Sequence, residues 1–342
     1  MITVHCGLHK TGSSSIQVAL PLVVSTARRA IVTPDPRDDR SERGWARRLR
    51  GLTAAPDAIF SDENLLGDPD DAYRASPDRV ALLRDSLAGS SFQLVVYLRP
   101  QVDWLGSVYL QGVQEGRTTS PEDFLAGVTS RRFLAWSNLI TLLREQSGAE
   151  RVVVRAHARS RDAVEDFFRT CGLGTPPKVS RTTIRENVSI AALQAPILVA
   201  INQEAGRTRD DRVSLRHAFQ GMLAAADPAP LSPFPEDLQR EVAERFRADW
   251  LKVADMIEAA DPAEAAVFRE ESVKWDETAR QFPGASVTDP LIAAELLRCF
   301  MVMVGEVGIP PSPGRWERAW AKLRENPRDV PRAIRRSLRR SP

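Results

Sequence analysis

The sequence has few residues of the kinds that bind structural metals or form disulfides. Its three cysteines and four histidines show no C-x-x-C or H-E-x-x-H spacing, so we expect no metal site. An odd number of widely spaced cysteines is typical of reduced thiols. The sequence also has no run of about 18 uncharged apolar residues and no basic-then-apolar leader. These absences predict a cytoplasmic protein without disulfides or membrane spans.

The composition is that of an ordinary globular chain that can bury a sizeable core. Of its 342 residues, 43% are hydrophobic and 27% are charged. Apolar, β-favouring runs alternate with helical patterns up to about residue 172, which predicts an α/β fold with a parallel central sheet and helices on both faces. The strands are expected near 2–6, 30–33, 57–61, 92–99 and 151–155. A helical C-terminal region is expected to follow them.

The first strand runs into a loop that contains glycine, lysine and serine. Gly7 and Gly12 allow backbone conformations that a Cβ would block, so successive N–H groups can turn towards an anion. Lys10 adds a mobile positive charge, and a helix predicted to begin near Ser13 adds the positive end of its dipole. Further donors are expected at Thr11, Ser13, Ser14 and Ser15. The sequence therefore predicts a pocket for a phosphorylated nucleotide.

The order of residues in this loop narrows the ligand. A Walker A loop places lysine directly after its second glycine, whereas Lys10 precedes Gly12 by two residues. The string from His9 to Ser15 instead resembles the 5′-phosphosulfate loop of sulfotransferases that use 3′-phosphoadenosine 5′-phosphosulfate (PAPS). The longer pattern HxGxHKTGSSSIQ is similar to the bacterial branch of that family. The resemblance implies a P-loop NTPase-like sulfotransferase fold and PAPS as the donor.

A second motif lies where that family would have one. The apolar run from Phe92 ends in Arg99, and Pro100 then opens a predicted helix. Ser107 follows Arg99 by eight residues, and this pair resembles the family's 3′-phosphate-binding element. A guanidinium and a hydroxyl can converge on one phosphate. The alternative is that the arginine caps a helix and the serine is solvated.

A third cluster follows the strand that ends near residue 61. The segment from Ile59 to Leu65 runs into Asp62 and Glu63, and bacterial sulfotransferases often show a similar Ser-x-Glu-Asn-Leu segment. The resemblance makes Glu63 the first candidate for the general base that deprotonates an acceptor hydroxyl. His9 is the rival base and Asp35 a weaker third. The alternative is that one of the two acids caps the next helix.

The resemblance implies a mechanism that needs no metal. Lys10 would hold the bridging oxygen of PAPS and neutralise charge on the leaving phosphate, while backbone N–H groups at Thr11 to Ser14 would stabilise the equatorial oxygens. The sulfuryl group would pass in line to a hydroxyl or amine of a carbohydrate, lipid or small metabolite. A basic loop late in the fold often covers the 3′-phosphate in this family, which adds three candidates by position: Arg181, Arg185 and Asn187.

The predicted organisation has three parts. Residues 1–190 would form the PAPS-binding α/β core, and 191–310 a helical part that completes the fold and the acceptor pocket. Residues 311–342 would form a basic tail, since 315–342 hold ten Lys/Arg against three acidic residues. With apolar residues at helical spacing, this tail could lie on an anionic membrane surface at the inner face or attract an acidic polymer. A solvated end is the alternative. No nucleic-acid-binding motif accompanies the tail, so nucleic acid is not an expected partner.

Two other functions remain open at this point. In a P-loop kinase or related phosphotransferase, Asp62 would serve as a Walker-B-like metal carboxylate, and ATP and Mg²⁺ would be required. In a non-enzymatic scaffold, the fold would persist while the basic tail docks on a membrane or partner. That third interpretation requires a defective donor pocket, yet the sequence retains Lys10, Arg99 and Ser107. The oligomeric state and the acceptor have no signal in the sequence.

Overall fold

The computed structural model describes residues 1–23, 30–34, 39, 41–55, 57–158, 160–176, 195, 199, 202 and 232–281. Within these residues, five strands form one parallel sheet in the order β2-β3-β1-β4-β5. The strands are β1 Ile2–Cys6, β2 Ile31–Val32, β3 Ile59–Asp62, β4 Phe92–Leu98 and β5 Arg151–Ala156. The predicted parallel α/β fold is confirmed, and each expected strand is present to within two residues at either end.

The α-helices in the same part of the chain connect and follow these strands. They are α1 Ser13–Ala19, α2 Glu42–Leu52, α3 Ser76–Ser86, α4 Gln101–Glu115, α5 Pro121–Val128, α6 Trp136–Gln146, α7 Ala163–Thr170, α8 Glu236–Glu258 and α9 Pro262–Gln281. None of these described helices is long and apolar enough to cross a membrane. Two of them, α8 and α9, supply part of the predicted helical C-terminal region.

Helices cover both faces of the sheet because successive strand residues point to opposite sides. On one face, Ile59 and Val95 pack with Ile16 of α1 and with Phe167 and Phe168 of α7. On the other face, α2 contacts β3 and α3, and α3 contacts α6. Both aromatic side chains of α7 are fully buried, and each such burial stabilises the fold by about 1.5–3 kcal/mol. Gly172, in the left-handed region at φ 64°, follows this helix, as glycine commonly does at a helix C-terminus.

The chain divides into two compact units. The first comprises Met1–Trp104, Ala126–Asn187 and Val242–Glu277, and it holds the whole sheet. The second comprises Leu105–Leu125, Val188–Glu241 and Thr278–Pro342. The predicted boundaries near residues 190 and 310 stay predictions.

The second unit has an aromatic cluster of its own. The ring of Tyr109 lies 5.5 Å from Phe124 and 5.8 Å from Phe234, centroid to centroid. The guanidinium of Arg117 lies 4.4 Å from the ring centroid of Phe124. Asn202 donates hydrogen bonds of 2.8 and 3.0 Å to the carbonyls of Val113 and Arg117. This side-chain amide therefore joins Asn202 to the C-terminal end of α4 and to the turn that follows it.

An ion-pair cluster joins β5 to α7 and α9 in the first unit. Arg155 donates hydrogen bonds of 2.6 and 2.9 Å to Asp166 and forms a 2.8 Å ion pair with Glu264. Burial acts to raise the pKa of Asp166, but the hydrogen bonds and charge of Arg155 outweigh it and lower that pKa. Glu264 also accepts a 2.6 Å hydrogen bond from the backbone N–H of Ala156. Side chains of α9 therefore cover the carboxyl end of the outer strand β5.

Candidate functional site

The loop from Gly7 to Gly12 connects β1, the central strand, to α1. A Cβ on Gly7 would lie 2.8 Å from the Cβ of Ser13, and a Cβ on Gly12 would lie 2.8 Å from the Cβ of Ala163. Gly12 also has φ +84°. Because side chains other than hydrogen do not fit at these two positions, glycine allows the loop to lie close against α1 and α7.

Lys10 lies at the tip of this loop with a left-handed backbone. Its φ is +64°, a conformation that costs roughly 1–2 kcal/mol for a residue with a Cβ. Such strain persists only where surrounding contacts impose it, and it is common at functional sites. On either side of this conformation, the backbone N–H and carbonyl of His9 and the carbonyl of Lys10 all have side-chain hydrogen-bond partners.

Two hydroxyls of the loop point inwards. Thr11 donates a 2.6 Å hydrogen bond to the carbonyl of Leu8, and Ser13 donates a 3.1 Å hydrogen bond to the same oxygen. The Ser13 hydroxyl thus donates inside the loop in this structure, and its role as a donor to a ligand stays a prediction. Thr11 is likewise oriented by Leu8. The hydroxyls of both residues stabilise the loop, and their backbone N–H groups remain candidates.

The backbone N–H groups at the start of α1 fit the prediction better. The first helical hydrogen bond runs from the N–H of Ile16 to the carbonyl of Gly12 at 3.1 Å. The N–H groups of Ser13, Ser14 and Ser15 therefore have no partner inside the helix. Ser14 is exposed and Ser15 is partly exposed.

His9 is held by two buried aromatic side chains. Its backbone N–H donates to the hydroxyl of Tyr73 at 3.0 Å, and its carbonyl accepts from the indole N–H of Trp104 at 2.9 Å. The ring Nδ1 also lies 3.3 Å from the Tyr73 hydroxyl. Burial lowers the pKa of His9, and the negative charge of Glu63 opposes that shift. These contacts give His9 a packing and positioning role and make it the weaker candidate for the base.

Glu63 follows β3 directly and is partly exposed. Asp62 pairs with Cys6, so Glu63 leaves β3 beside the start of the loop after β1. The negative charge of Glu63 acts to raise the pKa of both His9 and Tyr73, although burial lowers the pKa of His9 overall. Burial is the larger cause of the raised pKa at Tyr73, whose phenol is therefore neutral. A partly exposed carboxylate at this strand end stays the first candidate for the general base.

Asp62 is buried and its carboxylate oxygens already accept hydrogen bonds. The indole N–H of Trp45 donates to one oxygen at 3.0 Å, and Arg48 donates to the same oxygen at 3.4 Å. The backbone N–H of Asn64 donates to the other oxygen at 2.9 Å. Asp62 therefore orders the turn after β3 rather than capping a helix. A Walker-B-like metal role would require it to give up these donors.

Arg99, at the end of β4, reaches the loop after β1. Its guanidinium donates a 3.4 Å hydrogen bond to the carbonyl of Lys10. Its own carbonyl accepts a 2.8 Å hydrogen bond from the indole N–H of Trp136. Since β1 and β4 are paired neighbours, the two cationic residues lie at adjacent strand ends, where open parallel sheets bind ligands.

The other predicted residues are placed as follows. Ser107 is partly exposed in α4 and belongs to the second unit. Four candidates, Asp35, Arg181, Arg185 and Asn187, lie outside the described residues, as does the basic tail. Among the residues that are described, no group of three or more His, Cys, Asp or Glu could hold a metal ion. The expectation of a metal-free site stays a prediction.

Four residues near the loop were not identified from the sequence. Tyr73, Trp104 and Trp136 form an aromatic cluster in which the two indoles meet edge to face at 5.3 Å. Tryptophans at helical spacing indicate only a core. The sequence therefore gives no sign that their indole N–H groups donate to the carbonyls of His9 and Arg99. His157 follows β5 as Arg99 follows β4, and this repeated strand-end pattern could have identified it.

No family model, curated protein or solved structure matches the chain.

Proposed function

We propose that the chain is a PAPS-dependent sulfotransferase with a P-loop-like fold. The observation that carries the proposal is the 3.4 Å hydrogen bond from Arg99 to the carbonyl of Lys10. It joins the loop that resembles a 5′-phosphosulfate site to the strand end that resembles a 3′-phosphate site. The parallel sheet supports the proposal because β1 lies between β3 and β4. The three predicted motifs therefore lie at the carboxyl ends of three adjacent strands.

The residues present suit a donor with two separate anionic groups. Lys10 and the N–H groups from Thr11 to Ser14 would hold the 5′-phosphosulfate. Arg99 would bind the 3′-phosphate. A guanidinium can form two parallel hydrogen bonds to one phosphate, which makes it well suited to recognise this group.

The reaction is an in-line displacement at sulfur. The oxygen of an acceptor hydroxyl attacks, the new S–O bond forms, and the bond from sulfur to the bridging phosphate oxygen breaks. Glu63 takes the proton of the acceptor hydroxyl, and Lys10 neutralises the charge on the leaving phosphate. The acceptor class remains a hydroxyl or amine of a carbohydrate, lipid or small metabolite.

Isothermal titration calorimetry tests the donor site directly. The purified chain would be titrated with 3′-phosphoadenosine 5′-phosphate, with 5′-AMP and with ATP, each without and with Mg²⁺. We expect binding that needs the 3′-phosphate and no metal, and a large loss of affinity in Arg99→Ala. Arg84→Ala is the matched control, since this exposed arginine pairs with Asp85 on α3.

Each other outcome favours a different function. Tight binding of ATP that depends on Mg²⁺ would favour the phosphotransferase, although the hydrogen bonds to Asp62 argue against it. No binding of any nucleotide would refute the donor site and favour a scaffold. Equal affinities for 3′-phosphoadenosine 5′-phosphate and 5′-AMP would refute the assignment of Arg99.

A further inference from the structure

His157 extends the predicted anion site to a third strand end. Its backbone N–H donates a 2.7 Å hydrogen bond to the carbonyl of Leu98, which continues the pairing of β4 and β5 beyond Leu98 and Ala156. His157 therefore lies beside Arg99, as the next residue of each strand does in a parallel ladder. The ends of β1, β4 and β5 follow one another in the sheet.

The loop after β1 approaches the imidazole of His157. A Cβ on Gly12 would lie 3.7 Å from both Cδ2 and Nε2 of this ring. The edge that carries Nε2 thus faces the glycine that leads into the N–H groups of Ser13 to Ser15. The ring is only partly buried, so a ligand bound on this loop can reach it.

Burial and a neighbouring positive charge keep the ring of His157 neutral in the free protein. Burial, followed by the positive charge of Arg99, lowers the pKa of His157 to about 4, and Asp103 opposes the shift. The loop brings Lys10 to the same edge of the sheet, and Ala163 of α7 contributes no charge. A neutral imidazole keeps one N–H donor, and a bound anion would favour its protonated form.

We propose that His157 is a third side chain of this site, which donates a hydrogen bond from its imidazole to a phosphate group of the bound nucleotide. Lys10, Arg99 and His157 would then contact the ligand from three adjacent strand ends. This inference rests on the proposed function, because it assigns a further contact to the same site. His157 belongs to none of the sequence motifs that predicted the nucleotide site.

Titrations with 3′-phosphoadenosine 5′-phosphate test this contact. His157→Ala should weaken binding by about ten- to a hundred-fold, the range for a hydrogen bond to a charged group. His157→Gln retains an N–H donor and should therefore lose less affinity for the nucleotide than His157→Ala does. Arg151→Ala, at the exposed amino end of the same strand, should bind like the wild type.

Proton linkage supplies a second readout that a packing role would not change. Repeating the titration at pH 6 in two buffers with different ionisation enthalpies gives the protons taken up on binding. The wild type should take up more protons than His157→Gln, because the bound phosphate raises the pKa of the imidazole. The free ligand is the same in both titrations, so the difference in net proton uptake reports the ionisable group at position 157 and its coupling to the bound phosphate.

The outcomes separate this inference from the proposed function. If the wild type binds, Arg99→Ala loses binding and both His157 variants match the wild type in affinity and proton uptake, only the role of His157 is overturned. If the wild type does not bind the nucleotide at all, both proposals fail. If His157→Ala does not fold, affinity and proton uptake in His157→Gln decide.

Discussion

The indole N–H of Trp104 donates a 2.9 Å hydrogen bond to the carbonyl of His9, the residue that precedes Lys10. The indole N–H of Trp136 does the same for the carbonyl of Arg99, at 2.8 Å. Because the two indoles also pack against each other, a single aromatic cluster fixes the backbone on which both cationic side chains are carried. The spacing of Lys10 and Arg99 should therefore depend on these tryptophans.

Replacement of Trp104 tests this dependence. Trp104→Phe retains most of the packing but leaves the buried carbonyl of His9 without its donor. We expect the free energy of unfolding to fall by about 1–3 kcal/mol and the affinity for 3′-phosphoadenosine 5′-phosphate to fall several-fold. Trp250→Phe is the matched control, since its indole N–H donates at 2.7 Å to the carbonyl of Phe268. Equal effects of both variants on affinity would refute a positioning role.

Replacement of Glu63 separates binding from chemistry. Glu63→Gln should bind the donor like the wild type and lower the rate of sulfuryl transfer by about 10²- to 10⁴-fold, the usual contribution of a general base. The rate would be followed as release of 3′-phosphoadenosine 5′-phosphate from PAPS with a panel of hydroxyl acceptors. Full activity in this variant would exclude Glu63 as the base.

The neighbouring acid should behave differently. Asp62→Asn replaces a carboxylate that accepts hydrogen bonds from Trp45, Arg48 and Asn64. We expect the variant to lose about 1–3 kcal/mol of unfolding free energy, measured by urea unfolding. We also expect that the wild type does not need Mg²⁺ to bind a nucleotide. Mg²⁺-dependent ATP binding that disappears in Asp62→Asn would instead support the phosphotransferase.

Alanine at loop position Gly7 should lower stability, whereas alanine at the helical control position Gly51 should raise it. Gly7→Ala should destabilise the protein and weaken nucleotide binding, because its Cβ would lie 2.8 Å from the Cβ of Ser13 and would also meet the Ser13 hydroxyl. Gly51→Ala in α2 meets nothing within 4 Å and should stabilise the helix by about 0.5–1 kcal/mol. Thermal unfolding and calorimetry measure both effects. Normal binding by Gly7→Ala would show that the close approach is not needed.

The fold was largely predictable because its signals are local. Continuous apolar runs such as Phe92–Leu98 identify buried parallel strands from composition alone, and the prediction of a strand over 2–6 matches β1. The order of the strands was not predicted, since it depends on which strands pair across long separations. That order decides that Arg99 lies beside Lys10.

The site was only partly predictable for a related reason. The position of Lys10 between glycines and the place of Arg99 at a strand end are visible in the sequence. The direction of a hydroxyl is not, because Thr11 and Ser13 can donate either to a ligand or to the carbonyl of Leu8. Nor does the sequence show that the strained Tyr73, at φ 60°, lies against His9. These contacts join residues that are distant in the chain.

His5 predicts how stability depends on pH. This fully buried residue of β1 shares a 2.8 Å hydrogen bond with Ser61, and burial lowers its pKa to about 3. The unfolded chain therefore binds a proton below pH 6.5 that the folded chain does not bind, so stability falls as pH falls from about 6.5 to about 3. At pH 5 the loss from this residue is about 2 kcal/mol.

Urea unfolding at pH 7 and pH 5 measures this linkage. The difference in unfolding free energy between the two pH values should be smaller in His5→Gln than in the wild type by about 2 kcal/mol. His9 and His157 remain in both proteins, so their contributions cancel. An unchanged pH dependence in the variant would mean that the folded protein protonates His5 as readily as the unfolded chain does.

Within the described sheet, both outer strands are poor templates for association with another molecule. The outer strand β2 spans only Ile31–Val32, and the backbone N–H of Ala156 at the end of β5 is covered by Glu264 of α9. Exposed strand edges pair readily with other chains. Glu264 of α9 therefore satisfies the backbone N–H of Ala156 and shortens the stretch of β5 with which another chain could pair.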